Sequence, residues 1–184
     1  MDEPPIGPYP HPSWPAALRP WNPLAPAVAA RVIAMIAQRL PGTAIEHVGS
    51  SAVPDCDGKG YIDLIIHSRD ATHLAAINAA LFALGLQRQR NRDPFPEDRP
   101  MRTGTVRHEG KTFLIDVHVI HAKAREATSM QEFRNRLRAD PALVREYVAA
   151  KRTILDSGVR DGGEYAASKG RFIAALGHES AEDA

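Results

Sequence analysis

A chain of 184 residues, 43% of them hydrophobic, is long enough to bury one core and too short for two comfortable domains. Its 23 Lys and Arg against 22 Asp and Glu leave a net charge of +1, which argues against a general nucleic-acid coat as its role. The single cysteine, Cys56, excludes an internal disulfide, and no apolar run approaches the roughly 20 residues that cross a bilayer, so a cytoplasmic protein without a membrane partner is expected.

Residues 1–26 carry nine of the fifteen prolines. Proline fixes φ and lacks an amide donor, so this segment is expected to be an extended arm outside any helix or sheet interior. Trp14 and Trp21 would pin it to the domain by burying their indoles, with ligand stacking as the alternative use of either ring. The domain itself is read as residues 27–177, followed by a frayed polar tail at 178–184.

Val28, Val32, Ile36 and Leu40 recur at helical spacing and predict an amphipathic helix that stops at Pro41-Gly42. Thr43 to Val48 reads as a short strand feeding Gly49, Ser50 and Ser51. Glycine at 49 permits a backbone geometry or close approach that a side chain would block, while Ser50 adds a hydroxyl and an amide; a plain tight turn is the alternative. Pro54 to Gly60 is polar and turn-forming. Cys56 within it invites a nucleophile reading, but no His and acid are spaced to serve it, and a lone thiol is usually passive.

Tyr61 to His67 is a strand apolar on consecutive positions, as in a central strand covered on both faces, yet it contains Asp63. A carboxylate there is costly unless a cation or donors meet it, which marks a place for chemistry. Asp70 can cap the next helix, whose stripe is Leu74, Ile77, Leu81 and Leu84. Residues 88–107 hold six arginines among prolines and read as a flexible loop, either covering a polyphosphate or solvated with Asp93, Glu97 and Asp98 as counter-charges.

Lys111 to His121 is a second strand with an embedded acid, Asp116, and His118 on the same face two residues on. If the two strands are neighbours, Asp63, Asp116 and His118 converge on one cation; the alternative is that Asp116 and His118 satisfy each other or nearby donors. The remainder is helical. Ser129 with Glu132 reads as a capping box, Asp140-Pro141 starts a second helix ending at Ser157-Gly158, and a last helix runs from Glu164 to Leu176. Arg134, Arg138, Lys151 and Lys169 on these helices are candidate phosphate clamps or exposed helix charges.

Gly49-Ser50 followed by Asp63 resembles the Gly-Ser and strand-acid signature of the nucleotidyltransferase superfamily, although Ile65 stands where a second acid belongs. More narrowly, His47-Val48-Gly49-Ser50-Ser51-Ala52-Val53-Pro54 with Lys59 and Ile62-Asp63, then Phe133-Arg134 through Pro141, Tyr147, Lys151, Tyr165, Lys169 and Phe172, resemble the GrpB family. Tyr9 and Trp14 fit its N-terminal pattern, and Asp116 replaces the first histidine of its His-x-His pair, while His118 matches the second.

The resemblance implies an α/β (α+β) fold: a nucleotidyltransferase-like mixed β-sheet flanked by helices, with a helical C-terminal part. It also implies a nucleotide triphosphate or other phosphorylated small molecule as ligand. Gly49, Ser50, Ser51, Lys59, Arg134, Arg138, Lys151 and Lys169 would bind phosphate. Asp63, Asp116 and His118 would hold Mg²⁺ or Mn²⁺, with the two acids as catalytic groups. A metal-dependent nucleotidyl- or phosphotransferase is the leading expectation. A non-catalytic nucleotide- or phosphometabolite-binding module, and a small metal-dependent hydrolase, are the alternatives.

Overall fold

The computed structural model describes residues 5–10, 17–90 and 94–182; Trp14 and Asp93 lie outside them. The two acid-bearing strands are the centre of a five-stranded mixed sheet. In chain order its strands are β1 (Ile45–Val48), β2 (Tyr61–Ser68), β3 (Gln87–Arg88), β4 (Met101–His108) and β5 (Lys111–His121), arranged β1-β2-β5-β4-β3. β2 and β5 run parallel; every other neighbour pair is antiparallel.

Period-two geometry sorts the side chains of β2 and β5 into two layers. Ile62, Leu64, Ile66, Ile115, Val117 and Val119 face a core built with helices α1 (Ala25–Arg39) and α2 (Ala71–Ala83), through Val28, Val32, Ile36, Ile77 and Leu81. The opposite face carries Tyr61, Asp63 and Ile65 on β2 and Asp116, His118 and Ile120 on β5. The helices α3 (Arg125–Ala139), α4 (Pro141–Asp156) and α5 (Gly162–Glu182) follow β5 in the chain. Ile65 and Ile120 pack with Val48 and Ala127 on that face, while Leu137, Val144 and Tyr147 build a separate cluster around Val53 and Cys56. Burial on both faces explains the unbroken apolar runs of the central strands.

Local signals set most boundaries. The Asp70 side chain accepts from the His73 amide at the start of α2, and Asp140 accepts from the Ala142 and Leu143 amides above Pro141 at the start of α4.

Four readings differ. The basic stretch expected to be loop contains β4, because Met101 to His108 completes the antiparallel ladder of β5. Ser129 lies inside α3, which begins a turn earlier because Ala127 is needed in the apolar contact with Val48 and Ile65. The last helix passes Gly177 and runs to Glu182 through most of the expected tail; a glycine weakens a helix by about 1 kcal/mol without ending it, and no proline follows. Finally, the arm is tied in: Ile6 is 1% exposed, and Gly7 exchanges two backbone hydrogen bonds of 2.9 Å with Thr105 on β4.

Candidate functional site

β1 delivers the chain into Gly49, whose φ of +71° and ψ of −174° belong to a region only glycine occupies readily. Space forbids a side chain as well, since a Cβ at 49 would stand 2.3 Å from Asp63 Oδ2. The glycine thus lets the acid of β2 approach the turn. A short 3-10 turn, Ser50–Ala52, follows. Its first amides, those of Ser50 and Ser51, make no hydrogen bond among the described residues, as expected of helix N-terminal donors.

Asp63 and Asp116 are register partners on adjacent parallel strands and so project from the same face. Burial pushes the Asp116 carboxyl up to about 8, and the charge of Asp63 adds to this, with Lys59 opposing. Burial also raises Asp63, against the pull of Lys169 and then Lys59. Burial thus disfavours the charged form of both carboxyls, and their proximity couples the two titrations. Asp116 Oδ1 is buried with no hydrogen-bond partner among the described residues.

A cleft of about 360 Å³ opens over this pair and the Gly49-Ser50-Ser51 turn. Lys59, Lys151 and Lys169 all line it, the last two from α4 and α5. Their states differ. Lys59 lies 5.5 Å from the Tyr61 ring centre and 5.3 Å from that of Tyr165, and neither it nor Lys169 makes a hydrogen bond or ion pair among the described residues. Burial, then Lys169, lowers the Lys59 ammonium below its ordinary value, while Asp63 and Asp116 oppose. Lys151, only 1% exposed, has already used its three protons: it donates to Ser50 Oγ at 3.2 Å, to Cys56 Sγ at 3.5 Å and to the Asp57 carbonyl. It braces the turn rather than presenting a spare donor.

Other predicted residues stand outside the cleft. Arg134 donates to Glu46 Oε2 at 3.0 Å and to the His47 carbonyl at 2.9 Å, and Arg138 donates to the Ala52 carbonyl at 2.9 Å. Both clasp the turn from behind. Among the described residues, the arginines of 88–107 do not line the cleft either. Arg102, 2% exposed, pairs with Glu97 and lies over Phe82, and Arg99 pairs with Glu126.

His118 shares a face with Asp116 but does not line the cleft; it is packed against the Phe95 ring at 5.6 Å, and burial followed by the Arg99 charge lowers it to about 3. Among the described residues no three His, Cys, Asp or Glu side chains stand in a metal-holding group. The convergence expected of three ligands is thus limited to the two register-paired acids. A hydrolase site needing His118 beside them has no counterpart in this arrangement.

Sequence reasoning passed over several lining groups. Arg19 comes from the arm, as does Trp21, for which ligand stacking was the alternative to pinning; the arm is tied down where Arg19 and Gly58 exchange backbone hydrogen bonds, and proline content marked it as extended but not where it returns. Tyr61 and Tyr165 complete the walls. His47 was also missed, although it opens the quoted motif: its Nε2 lies 2.9 Å from Ser51 Oγ, and burial, then Arg138 and Arg134, lower it to about 4.

Comparison with known proteins places these features in a family. The model of the family described as GrpB protein matches residues 15–179. A Streptomyces coelicolor protein, UPF0157 protein SCO7215, is 31% identical over 135 residues, which cover 72% of this chain and 66% of that protein, just under two thirds of its length. Among solved structures, GrpB from Enterococcus faecalis superposes with a TM-score of 0.68 at 19% identity, covering 91% of this chain and 98% of the other. The Cid1 poly(U) polymerase, solved with MgGTP bound, is a more distant likeness at TM-score 0.48 and 14% identity, over 73% of this chain and 46% of its own.

Proposed function

The chain belongs to the GrpB family, and we propose that it is a metal-dependent nucleotidyl- or phosphotransferase whose cleft takes a nucleotide triphosphate or another phosphorylated small molecule. One observation carries the reading: two register-paired acids face a turn with unspent amides, and the two lysines beside them, Lys59 and Lys169, have no ion-pair partner among the described residues. Amides and ammonium groups gathered in a concave site suit an anion with several oxygens. In this reading the Ser50 and Ser51 amides take a phosphate; an acceptor hydroxyl, giving up its proton, attacks the α-phosphorus in line as the bond to the bridging oxygen breaks and pyrophosphate leaves, and Lys59 and Lys169 neutralise the charge that grows on it.

Asp63 and Asp116 would hold Mg²⁺ or Mn²⁺. The donor set fits, because such ions are commonly held by one or two carboxylates plus substrate phosphates, and Asp116 Oδ1 is an unpartnered buried acceptor. This also accounts for the absence of a three-residue ligand group among the described residues: the phosphates would supply the remaining oxygens. Bound there, the ion would supply charge neutralisation across the phosphates.

A second reading, binding without transfer, is favoured by Ile65. It occupies the position of the superfamily's second strand acid and is fully buried against Val48, Ile120 and Ala127. Calorimetric titration with ATP, CTP, GTP and UTP, with and without Mn²⁺, separates the two. Transfer requires metal-enhanced binding and metal-dependent pyrophosphate release, both abolished in Asp63→Asn. Binding that survives this substitution, with no pyrophosphate released, establishes the module instead.

A further inference from the structure

We infer that Trp21 is a stacking platform for a planar heteroaromatic base, so that the cleft's ligand is a nucleoside phosphate rather than a bare or sugar phosphate. The inference rests on the phosphate-binding reading above and names the part of the ligand that reading leaves open.

The indole lines the cleft and is half-buried, with its polar edge already satisfied: Nε1–H donates to the Ser51 carbonyl at 3.1 Å. The backbone is fixed too, since the Trp21 amide donates to Asp57 Oδ1 at 3.2 Å and Arg19 exchanges backbone bonds with Gly58. A large ring held at both its edge and its backbone loses little further freedom on binding a ligand. Yet no aromatic or cationic side chain among the described residues is stacked on it, whereas Tyr61, Tyr147 and Tyr165 each have such a neighbour. An indole beside this turn, with no aromatic or cationic side chain of the described residues stacked on it, is a ring on which a base would stack with gain. The next residue, Asn22, also lines the cleft; its Oδ1 accepts from the Leu24 amide at 3.0 Å, so what its side chain has left to offer a ligand is N–H donors. At about 360 Å³ the cleft also exceeds the lower bound of ordinary small-molecule sites, more than a phosphate alone would need.

The test compares ATP and UTP with inorganic tripolyphosphate, all with Mg²⁺, by calorimetry. Intrinsic fluorescence in a Trp14→Phe background isolates Trp21, because the chain has two tryptophans. The nucleotides are expected to quench Trp21 and to bind more tightly than tripolyphosphate. Trp21→Leu should weaken nucleotide binding by about tenfold or more while changing tripolyphosphate affinity by no more than about twofold. Trp21→Phe, which keeps a smaller aromatic ring but loses the indole N–H and the five-membered ring, should retain part of the nucleotide preference and guards against misfolding of the leucine variant. Equal affinity of the wild type for tripolyphosphate and nucleotides overturns the stacking role and leaves the phosphate reading standing. So does equal weakening of both ligands in both variants, which would make Trp21 a brace for Ser51. If none of the three ligands binds, the phosphate reading fails and the inference falls with it.

Discussion

Gly49 is where local backbone and distant chemistry meet. Its conformation costs a non-glycine residue about 1–3 kcal/mol, and an added methyl would collide with Asp63 Oδ2, so Gly49→Ala combines strain with displacement of the acid. We expect a loss of roughly 2 kcal/mol or more in urea unfolding, together with loss of nucleotide binding in calorimetry. A variant of wild-type stability that still binds would show that the close approach has no role. Lys151 illustrates a different lesson of the residue scale. A lysine beside a phosphate-directed turn invites a ligand role, but its three hydrogen bonds to Ser50, Cys56 and Asp57 make it a strut, and they also give the buried Cys56 thiol a passive place.

Among the elements, the arm contributes more than its proline content implied. Ile6 enters the main core beside Leu84 and Leu86, and Gly104 on β4 exists to admit it, since a Cβ there would stand 2.4 Å from Ile6 Cγ2. Removing the Ile6 side chain in Ile6→Ala should cost about 2–5 kcal/mol. Gly104→Ala should also destabilise, and the double variant should lose less than the sum by about 0.5–3 kcal/mol, because the alanine at 6 vacates the space the new methyl needs. Strict additivity in denaturant titrations would mean the two residues do not meet. Helix α3 plays the corresponding part on the other face, where Arg134 and Arg138 hold the backbone of β1 and the turn.

For the whole molecule, buried titratable groups shape stability against pH from both sides. Asp116 is pushed up to about 8 when folded, so the folded protein binds its proton more tightly than the unfolded chain does. Stability is then lost as pH rises from about 4 towards 8. His47 and His118 are lowered to about 4 and about 3, so each opposes folding once the unfolded imidazole protonates, and stability falls as pH drops below about 6.5. Thermal melts from pH 4 to 9 should therefore trace a dome, and Asp116→Asn should flatten its alkaline side and steepen its acid side, where the Asp116 contribution opposes that of the histidines. An unchanged alkaline slope in that variant would remove Asp116 as the cause.

Much of this was written in the order of residues. The acids inside apolar strands, the glycine before two serines, the proline at the head of α4 and the Asp70 cap are local statements, and local chemistry enforces them wherever the chain goes. The pairing of Asp63 with Asp116 could only be posed as a condition, because it depends on β2 and β5 lying side by side although 52 residues separate the two acids in the chain. Strand β4 was hidden for the same reason: its arginines and glycine look like loop until the ladder of β5 takes up their backbone groups. Which basic residues reach the cleft and which clasp the turn from behind was likewise decided by packing, since a helix shows its neighbours only after it has docked. Sequence specifies what each segment is able to do; long-range contacts, set by how the apolar faces close on one another, determine which of those abilities are brought to one place.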